Sequence, residues 1–356
     1  MFKRISNHPF FIKLFNWEYW PFNVVYAPIY PYWIWLMIKS RSAFFFNTSN
    51  PLIKNGGFLL ESKKEIYDLI PQKYYPATLF FKEGTSITEI KKSIETSGIR
   101  FPLIAKPDIG MRGMMVKKIE DLQSLEHYVT NAGVDFLVQD FVPFENEVGI
   151  FYYRYPGETK GKISGIVGKE FLAVTGDGKS TIEELLQKDK RFILQLPVLR
   201  ETHSELLKAI LEKNEQKLLV PYGNHARGSK FLDITSLADE KLQQTIDHIC
   251  KQVPQFYFGR MDIRYNSWEE LQEGKNFSII ELNGAGSEPT HMYDPKHSVF
   301  FAWKEIIRHW NILSKISRLN HKQQQLPYMD FSAGMKMLKE NTAYVKTLSL
   351  NLKKIA

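Results

Sequence analysis

A chain of 356 residues with 44% hydrophobic content is long enough for two or three lobes and apolar enough to bury a core. Its single cysteine, Cys250, excludes an intrachain disulfide framework and any cysteine-based zinc cluster, and is consistent with a reducing, cytosolic setting. The net charge of +8 suits an anionic ligand or an acidic surface, but the basic residues are dispersed among acidic ones and form no concentrated stripe, so nucleic acid is not expected as a partner.

Residues 1–55 read as an aromatic N-terminal arm. Phe10-Phe11-Ile12, Trp17-Glu18-Tyr19-Trp20 and Phe44-Phe45-Phe46 flank an apolar run from Val24 to Ile38. That run falls short of the ~20 apolar residues a spanning helix needs, and it contains Pro28 and Pro31. Lys39-Ser40-Arg41-Ser42-Ala43 followed by three Phe is also a poor signal-peptide cleavage site. Two readings stand. The plainer is an arm packed on its own domain or on a second subunit, so an oligomer stays open. The other is an interfacial membrane anchor at the inner face, with Trp and Tyr at headgroup depth and Lys3, Arg4, Lys13, Lys39 and Arg41 towards anionic lipid.

Lys63–Leu69 alternates charged and apolar residues like a short helix ending before Pro71, and Ile87–Ser97 is an amphipathic helix leading to Gly98. Next comes FPLIAKPDIGMRGMMV (Phe101–Val116), read as a buried strand at Leu103–Ala105, a loop with Gly110 and Gly113, and a second strand at Met114–Val116. Glycines let a backbone approach phosphate closely. Lys106 adds a point charge and Arg112 a bidentate fork for phosphate oxygens. Ile119–Tyr128 reads as a helix with Asp121 as N-cap, and Phe136–Val138 as a strand. Lys162–Val174 reads as a strand pair. Gly176-Asp177-Gly178-Lys179 looks like a phosphate loop but lacks the P-loop spacing. Phe192–Leu219 is charged and helical, Pro221–Thr235 groups Asn224, His225, Arg227 and Lys230, and Leu237–Val253 is an amphipathic helix.

Two strands follow, GRMDIRY (Gly259–Tyr265) and the segment from Phe277 to Asn283. Asn266–Lys275 between them holds the turn and charged residues expected of an antiparallel connection. Period-two alternation puts Glu281 and Asn283 on one face, and pairing of the strands would bring Asp262 to them. Two carboxylates and an amide oxygen are the donors that Mg²⁺ favours, usually together with substrate phosphates. The small residues Gly284-Ala285-Gly286-Ser287 leave room for a substrate that Glu288 and His291 would face. Phe300–Ile316 is an amphipathic helix, and a polar linker and a basic helix close the chain.

The order Lys106, glycine loop, Arg260-x-Asp262 and Glu281-x-Asn283 resembles the ATP-grasp superfamily, from about residue 60 to 316. The resemblance implies an α+β fold in which two α/β lobes with antiparallel sheets clamp a nucleotide, with lobes at 56–135 and 136–316, the metal site in the second, and a C-terminal linker and helix at 317–356. It implies that Asp262, Glu281 and Asn283 hold Mg²⁺, with Mn²⁺ as an alternative, and that Arg260 faces the transferred phosphoryl group. It further implies that Lys64, or its neighbour Lys63, opens a helix in the ATP site, and that Lys106, Gly110, Arg112, Gly113 and Lys169 attend the phosphates. Gln139, Asp140, Phe141 and Val142 would form the adenine-reading hinge, and Glu147, or Glu145, would meet the ribose. Arg227 would face phosphate or a substrate carboxylate, and His225 would act as a base near the substrate. The 174–186 segment resembles one in cyanophycin synthetases and argues for the carboxylate–amine ligase branch. The implied activity is an ATP- and Mg²⁺-dependent ligase joining a small-molecule or peptide carboxylate to an amine through an acyl phosphate. The alternatives are a non-catalytic nucleotide-binding module and an ATP-grasp kinase. The implied location is cytoplasmic.

Overall fold

Local signals set the elements. Ser86 accepts a hydrogen bond from the Glu89 amide, Ile90 and Ile94 are buried one turn apart, and the helix Ile87–Ser97 follows. Asp121 caps Leu122–Ala132 in the same way through the Ser124 amide, as its position in the sequence suggests. The computed structural model describes residues 8–111, 113–220, 223 and 228–355. Its strands are β1 (Thr78–Phe81), β2 (Leu103–Pro107), β3 (Lys117–Ile119), β4 (Phe136–Asp140), β5 (Asn146–Tyr153), β6 (Lys162–Glu170), β7 (Leu172–Thr175), β8 (Gln216–Val220), β9 (Lys230–Asp233), β10 (Phe258–Tyr265) and β11 (Phe277–Asn283).

The chain divides into two units. The larger comprises Tyr32–Ile166, Thr235–Pro289 and Arg308–Ala356. It holds an antiparallel sheet in the order β1-β4-β2-β3. Under this sheet lies a core of Ile90, Leu103, Leu125, Tyr128, Phe136 and Val138, joined by Leu348 and Ile355 of the helix Phe331–Ile355. The same unit carries β10 between β5 and β11, both antiparallel to it. A second core gathers Phe45, Phe46, Phe151, Phe258, Leu313 and Ile316.

The smaller unit comprises Met1–Pro31, Val167–Ile234 and Thr290–Ile307. Its core is Leu172, Val174, Ile182, Leu186, Leu199 and Leu219. The N-terminal residues are held there by a buried ion pair, Arg191 to Glu18 at 2.7 Å, and by Trp17 Nε1 donating to the His297 carbonyl at 2.8 Å.

The expected α+β class with antiparallel sheets is what the chain adopts. The two units are each assembled from separated stretches of the chain. A cut at 135 would part β4 from β2, to which it is fully hydrogen-bonded, and a cut at 55 would run through a buried segment. β6 and β7 do not pair with each other as read from sequence; Val167–Glu170 pairs with β9, and β7 with β8. The strand after the glycine loop is Lys117–Ile119 rather than Met114–Val116. Phe192–Leu219 breaks into short helices before β8. No helix of the described residues is long and apolar enough to cross a membrane.

The segment after Phe46 packs into the larger unit. Asn50 is fully buried; its Oδ1 accepts from the Tyr257 and Phe258 amides (2.9 and 3.0 Å), and its Nδ2 donates to the Gly56 and Phe258 carbonyls (2.9 and 2.8 Å). Beyond it, the backbone passes directly over the exit of β11. Ala285 and Gly286 amides donate to the Gly56 and Gly57 carbonyls (3.0 and 2.8 Å), and a Cβ on Gly57 would sit 2.6 Å from the Gly284 Cα. The small residues after Asn283 therefore admit this backbone, where the sequence reading left them room for substrate. Asn50→Ala removes four hydrogen bonds to backbone groups; the Gly56 carbonyl keeps the Ala285 amide, but the Tyr257 and Phe258 amides lose their side-chain acceptor. At ~1–3 kcal/mol for each buried polar group left unpaired, partly relieved by water, the expected loss is about 3–5 kcal/mol. A denaturation midpoint within about 1 kcal/mol of the parent would contradict this.

Candidate functional site

The site is built on β10 and β11. In their register Asp262 faces Glu281 and Arg260 faces Asn283, so four polar side chains form a square on one face. Met261, Ile263, Ile279 and Leu282 are buried on the other. Strict alternation would put Ile279 on the polar face with Glu281. A β-bulge prevents this, because the register skips from Asp262–Glu281 to Ile263–Ile279 and leaves Ile280 extra. The Ile280 carbonyl, freed from the ladder, accepts from Tyr67 Oη at 2.5 Å and from Lys106 Nζ at 3.1 Å. The bulge thus ties β2 of the other sheet to the acidic pair.

Lys106 is buried, and its ammonium has three acceptors: Tyr67 Oη (2.9 Å), Gln139 Oε1 (2.8 Å) and the Ile280 carbonyl. Burial, then the neighbouring Lys63, lowers its pKa to about 7, against the attraction of Glu281. Gln139 is used at both ends, since its Nε2 donates to Thr78 Oγ1 at 2.7 Å. It orients the lysine.

Helical register decides between the two lysines offered by the sequence. Ile66 and Tyr67 are the buried residues of Lys63–Leu69. Lys63, three and four residues before them, shares their face and reaches Glu281 Oε1 at 3.4 Å. Lys64 turns outward to Asp68, four residues on, at 2.5 Å, so the structure does not bring it into the cluster. The Lys63 ammonium lies against Gly110, where a Cβ would come within hard contact of Nζ. Asp108 anchors the loop to this helix, its carbonyl accepting from the Lys63 amide and its Oδ1 from the Lys64 amide.

Arg260 grips Asp262 with two hydrogen bonds, Nε to Oδ1 at 2.8 Å and Nη2 to Oδ2 at 3.1 Å, and Nη1 lies 3.4 Å from the Glu288 carbonyl. Burial pushes the Glu281 carboxyl up, but Lys63, Arg260 and Lys106 together hold it below the ordinary range despite Asp262. Glu61, which no sequence signal marks, joins the cluster. Burial raises its pKa, Lys63 and Glu281 act on it with opposite signs, and its Oε2 is buried without a partner.

Other expected residues make different contacts. Glu147, cross-strand to Arg264, pairs with it at 3.4 Å, on the face that carries Asp262. Asp140 is exposed, Phe141 lies under Lys118, and Val142 is half-buried. Gly113 adopts φ 73° in the loop after Lys106. Lys169 lies in the smaller unit, 6.0 Å from the Phe231 ring. His291, also in the smaller unit, is buried against Glu305 at 3.0 Å. Arg112, His225 and Arg227 lie outside the described residues. The Asp177 carboxylate accepts from the Lys179 and Ser180 amides, which spends the donors of that glycine turn within the turn itself.

A hard divalent cation fits this donor set. Asp262 and Glu281 face each other, and Asn283 stands on the same face with an amide oxygen that can serve as a third ligand. Among the described residues no group of three or more His, Cys, Asp or Glu side chains converges as a metal cage. A cation here would therefore rest on two carboxylates, an amide, and oxygens of ligand or water, the pattern of magnesium sites.

Lys106 also makes a pH prediction. Between its folded pKa of about 7 and its ordinary 10.5, the unfolded chain holds a proton that the folded chain lacks, so stability climbs as pH rises through that window. Lys106→Met lacks this climb. The wild-type-minus-variant difference in unfolding free energy should rise by about 3–5 kcal/mol from neutral pH to about pH 10. A flat difference in denaturant melts across that range would contradict the assignment.

No family model matches the sequence, and no curated protein matches it. Among solved structures the chain is similar to a bifunctional glutathione synthetase from Pasteurella multocida, at 15% identity and a TM-score of 0.40, covering 76% of this chain and 37% of that one. It is similar to the VanG D-Ala:D-Ser ligase from Enterococcus faecalis, at 14% identity and 0.39, covering 70% and 61%. It is likewise similar to a D-alanine–D-alanine ligase from Bacillus anthracis, at 12% identity and 0.40, covering 74% and 68%. The chain spans little more than a third of the first of these and less than two thirds of the second.

Proposed function

We propose that this chain is an ATP-grasp carboxylate–amine ligase acting on a small-molecule or peptide acid and an amine. The observation that carries the reading is the square of Arg260, Asp262, Glu281 and Asn283 set beside two lysines, Lys63 and Lys106. Positioning and charge neutralisation supply most of the catalysis of phosphoryl transfer. This cluster offers both, with cations for phosphate oxygens and oxygen donors for Mg²⁺ or Mn²⁺ in one place. Asp262, Glu281 and Asn283 would hold the metal, which when bound neutralises charge on the nucleotide's terminal phosphates. Lys63 and Lys106 would draw the phosphate tail, and Arg260 would meet the transferred group once it loosens from Asp262. Roles for Lys169, Arg227 and His225 rest on the sequence resemblance alone.

The reaction balances in two steps. A carboxylate oxygen of the acid attacks the terminal phosphorus of ATP, giving an acyl phosphate and ADP. The amine nitrogen then attacks the acyl carbon, phosphate leaves, and the amine proton passes to solvent, giving the amide.

Glu281→Gln is the cleaner variant for a test. It breaks a single 3.4 Å contact with Lys63, whereas Asp262→Asn would disturb both hydrogen bonds that hold Arg260. ADP release that requires both an added acid and an added amine, reduced about 100-fold or more in Glu281→Gln with the melting temperature kept, is the expected outcome. Undiminished turnover in the variant would contradict the metal assignment. A stable phosphorylated product without amide would make the protein a kinase instead.

A further inference from the structure

A second cationic cluster lies in the larger unit, lined by none of the residues of the β10–β11 site. The helix Tyr30–Ser40 ends beside the last turns of Val299–Gln323, and between them opens a cavity of about 390 Å³. Lys39, Arg41, Arg318 and Lys322 line it, together with His321 and Tyr328, whose rings stack at 3.9 Å. Among the described residues no carboxylate lines the cavity, and the four cations have no ion-pair partner there. The Nε of Arg318 is buried with no hydrogen-bond partner.

Cations are favoured at helix C-termini, and two such ends meet here. Each end carries about half a negative charge, effective only within the last turn. That offsets at most one of four full charges, and it leaves the buried Arg318 donor unsatisfied. Buried polar groups in folded proteins are paired as a rule, so an orphaned guanidinium nitrogen behind three more cations asks for an acceptor with several oxygens and negative charge. We propose that this cavity binds a phosphate-bearing anion, seated on Arg318 with Lys39, Arg41 and Lys322 around it. The phosphate could come from a soluble phosphate ester or from a lipid headgroup. The same helix exposes Ile34, Trp35 and Ile38, one turn before the cavity, with Lys39 lying over the Trp35 ring at 4.4 Å. An apolar ridge beside a phosphate pocket is the arrangement an interfacial site would use.

The test uses the full chain in the Lys106→Met background, which removes the phosphate lysine of the first site. Inorganic phosphate is titrated by calorimetry. Vesicles of phosphatidylcholine, with and without phosphatidic acid, are tested by co-sedimentation. Phosphate binding that weakens about tenfold or more in Arg318→Gln and in Lys322→Gln supports the site with a soluble source. Co-sedimentation that needs phosphatidic acid and is lost in Lys322→Gln and in Trp35→Ser supports the site with a headgroup source. Lys322 is exposed, so its variant keeps the fold even where Arg318→Gln does not. Binding of equal strength in every variant, or none of either ligand to the parent chain, would overturn the proposal.

Discussion

One extra residue in β11 organises the candidate site. Without the bulge at Ile280, the ladder between β10 and β11 would keep that carbonyl, and Ile279 would share a face with Glu281. With it, Ile279 and Ile263 stay in the core, while Glu281 turns to Asp262. The freed carbonyl then takes the Lys106 ammonium and the Tyr67 hydroxyl. A strand irregularity of this kind costs ladder hydrogen bonds and is retained where it re-aims side chains. Here it joins two sheets of the larger unit at the point where their charged residues meet.

The resulting cluster is balanced and tense at once. Glu61, Asp262 and Glu281 stand against Lys63, Lys106 and Arg260, and burial penalises the charged form of Glu61, Glu281, Lys106 and Arg260. Lys106 sits near the edge of deprotonation, and Arg260 is committed to both oxygens of Asp262. A cation arriving together with a polyanion would relieve both strains, supplying positive charge to the carboxylates and negative charge to the lysines. Preorganised charge of this sort acts strongly because the surroundings, already fixed, need not reorganise. The backbone around Asn50, Gly56 and Gly57 clamps the end of β11 and so fixes Asn283 from the far side.

Much of this was legible in the residues. The spacing Arg260-x-Asp262 and Glu281-x-Asn283 announced an antiparallel pair with polar side chains on one face, because strand alternation is a local property. The choice of Lys63 over Lys64 was also within reach, since Ile66 and Tyr67 mark the inward face of the helix. The bulge was not, because it depends on which residues of β11 find partners in β10, and the alternation rule alone puts Ile279 on the wrong side. Glu61 carries no pattern at all; only the fold brings it to Glu281. The packing of the aromatic N-terminus was out of reach for a related reason. Composition distinguishes residues 1–55 from the rest, but it cannot show that Asn50 threads into the core beside Phe258. The unit boundaries likewise follow from nonlocal strand pairing.

In the proposed function the face of β10 and β11 receives a divalent ion together with a nucleotide. Electron paramagnetic resonance of Mn²⁺, titrated into the protein with a non-hydrolysable ATP analogue, tests it most directly. The account predicts one tightly held ion whose affinity depends on the nucleotide and falls about tenfold or more in Asn283→Ala and in Glu281→Gln. Mn²⁺ binding that is unaffected by either substitution, or that takes place equally well without nucleotide, would contradict it.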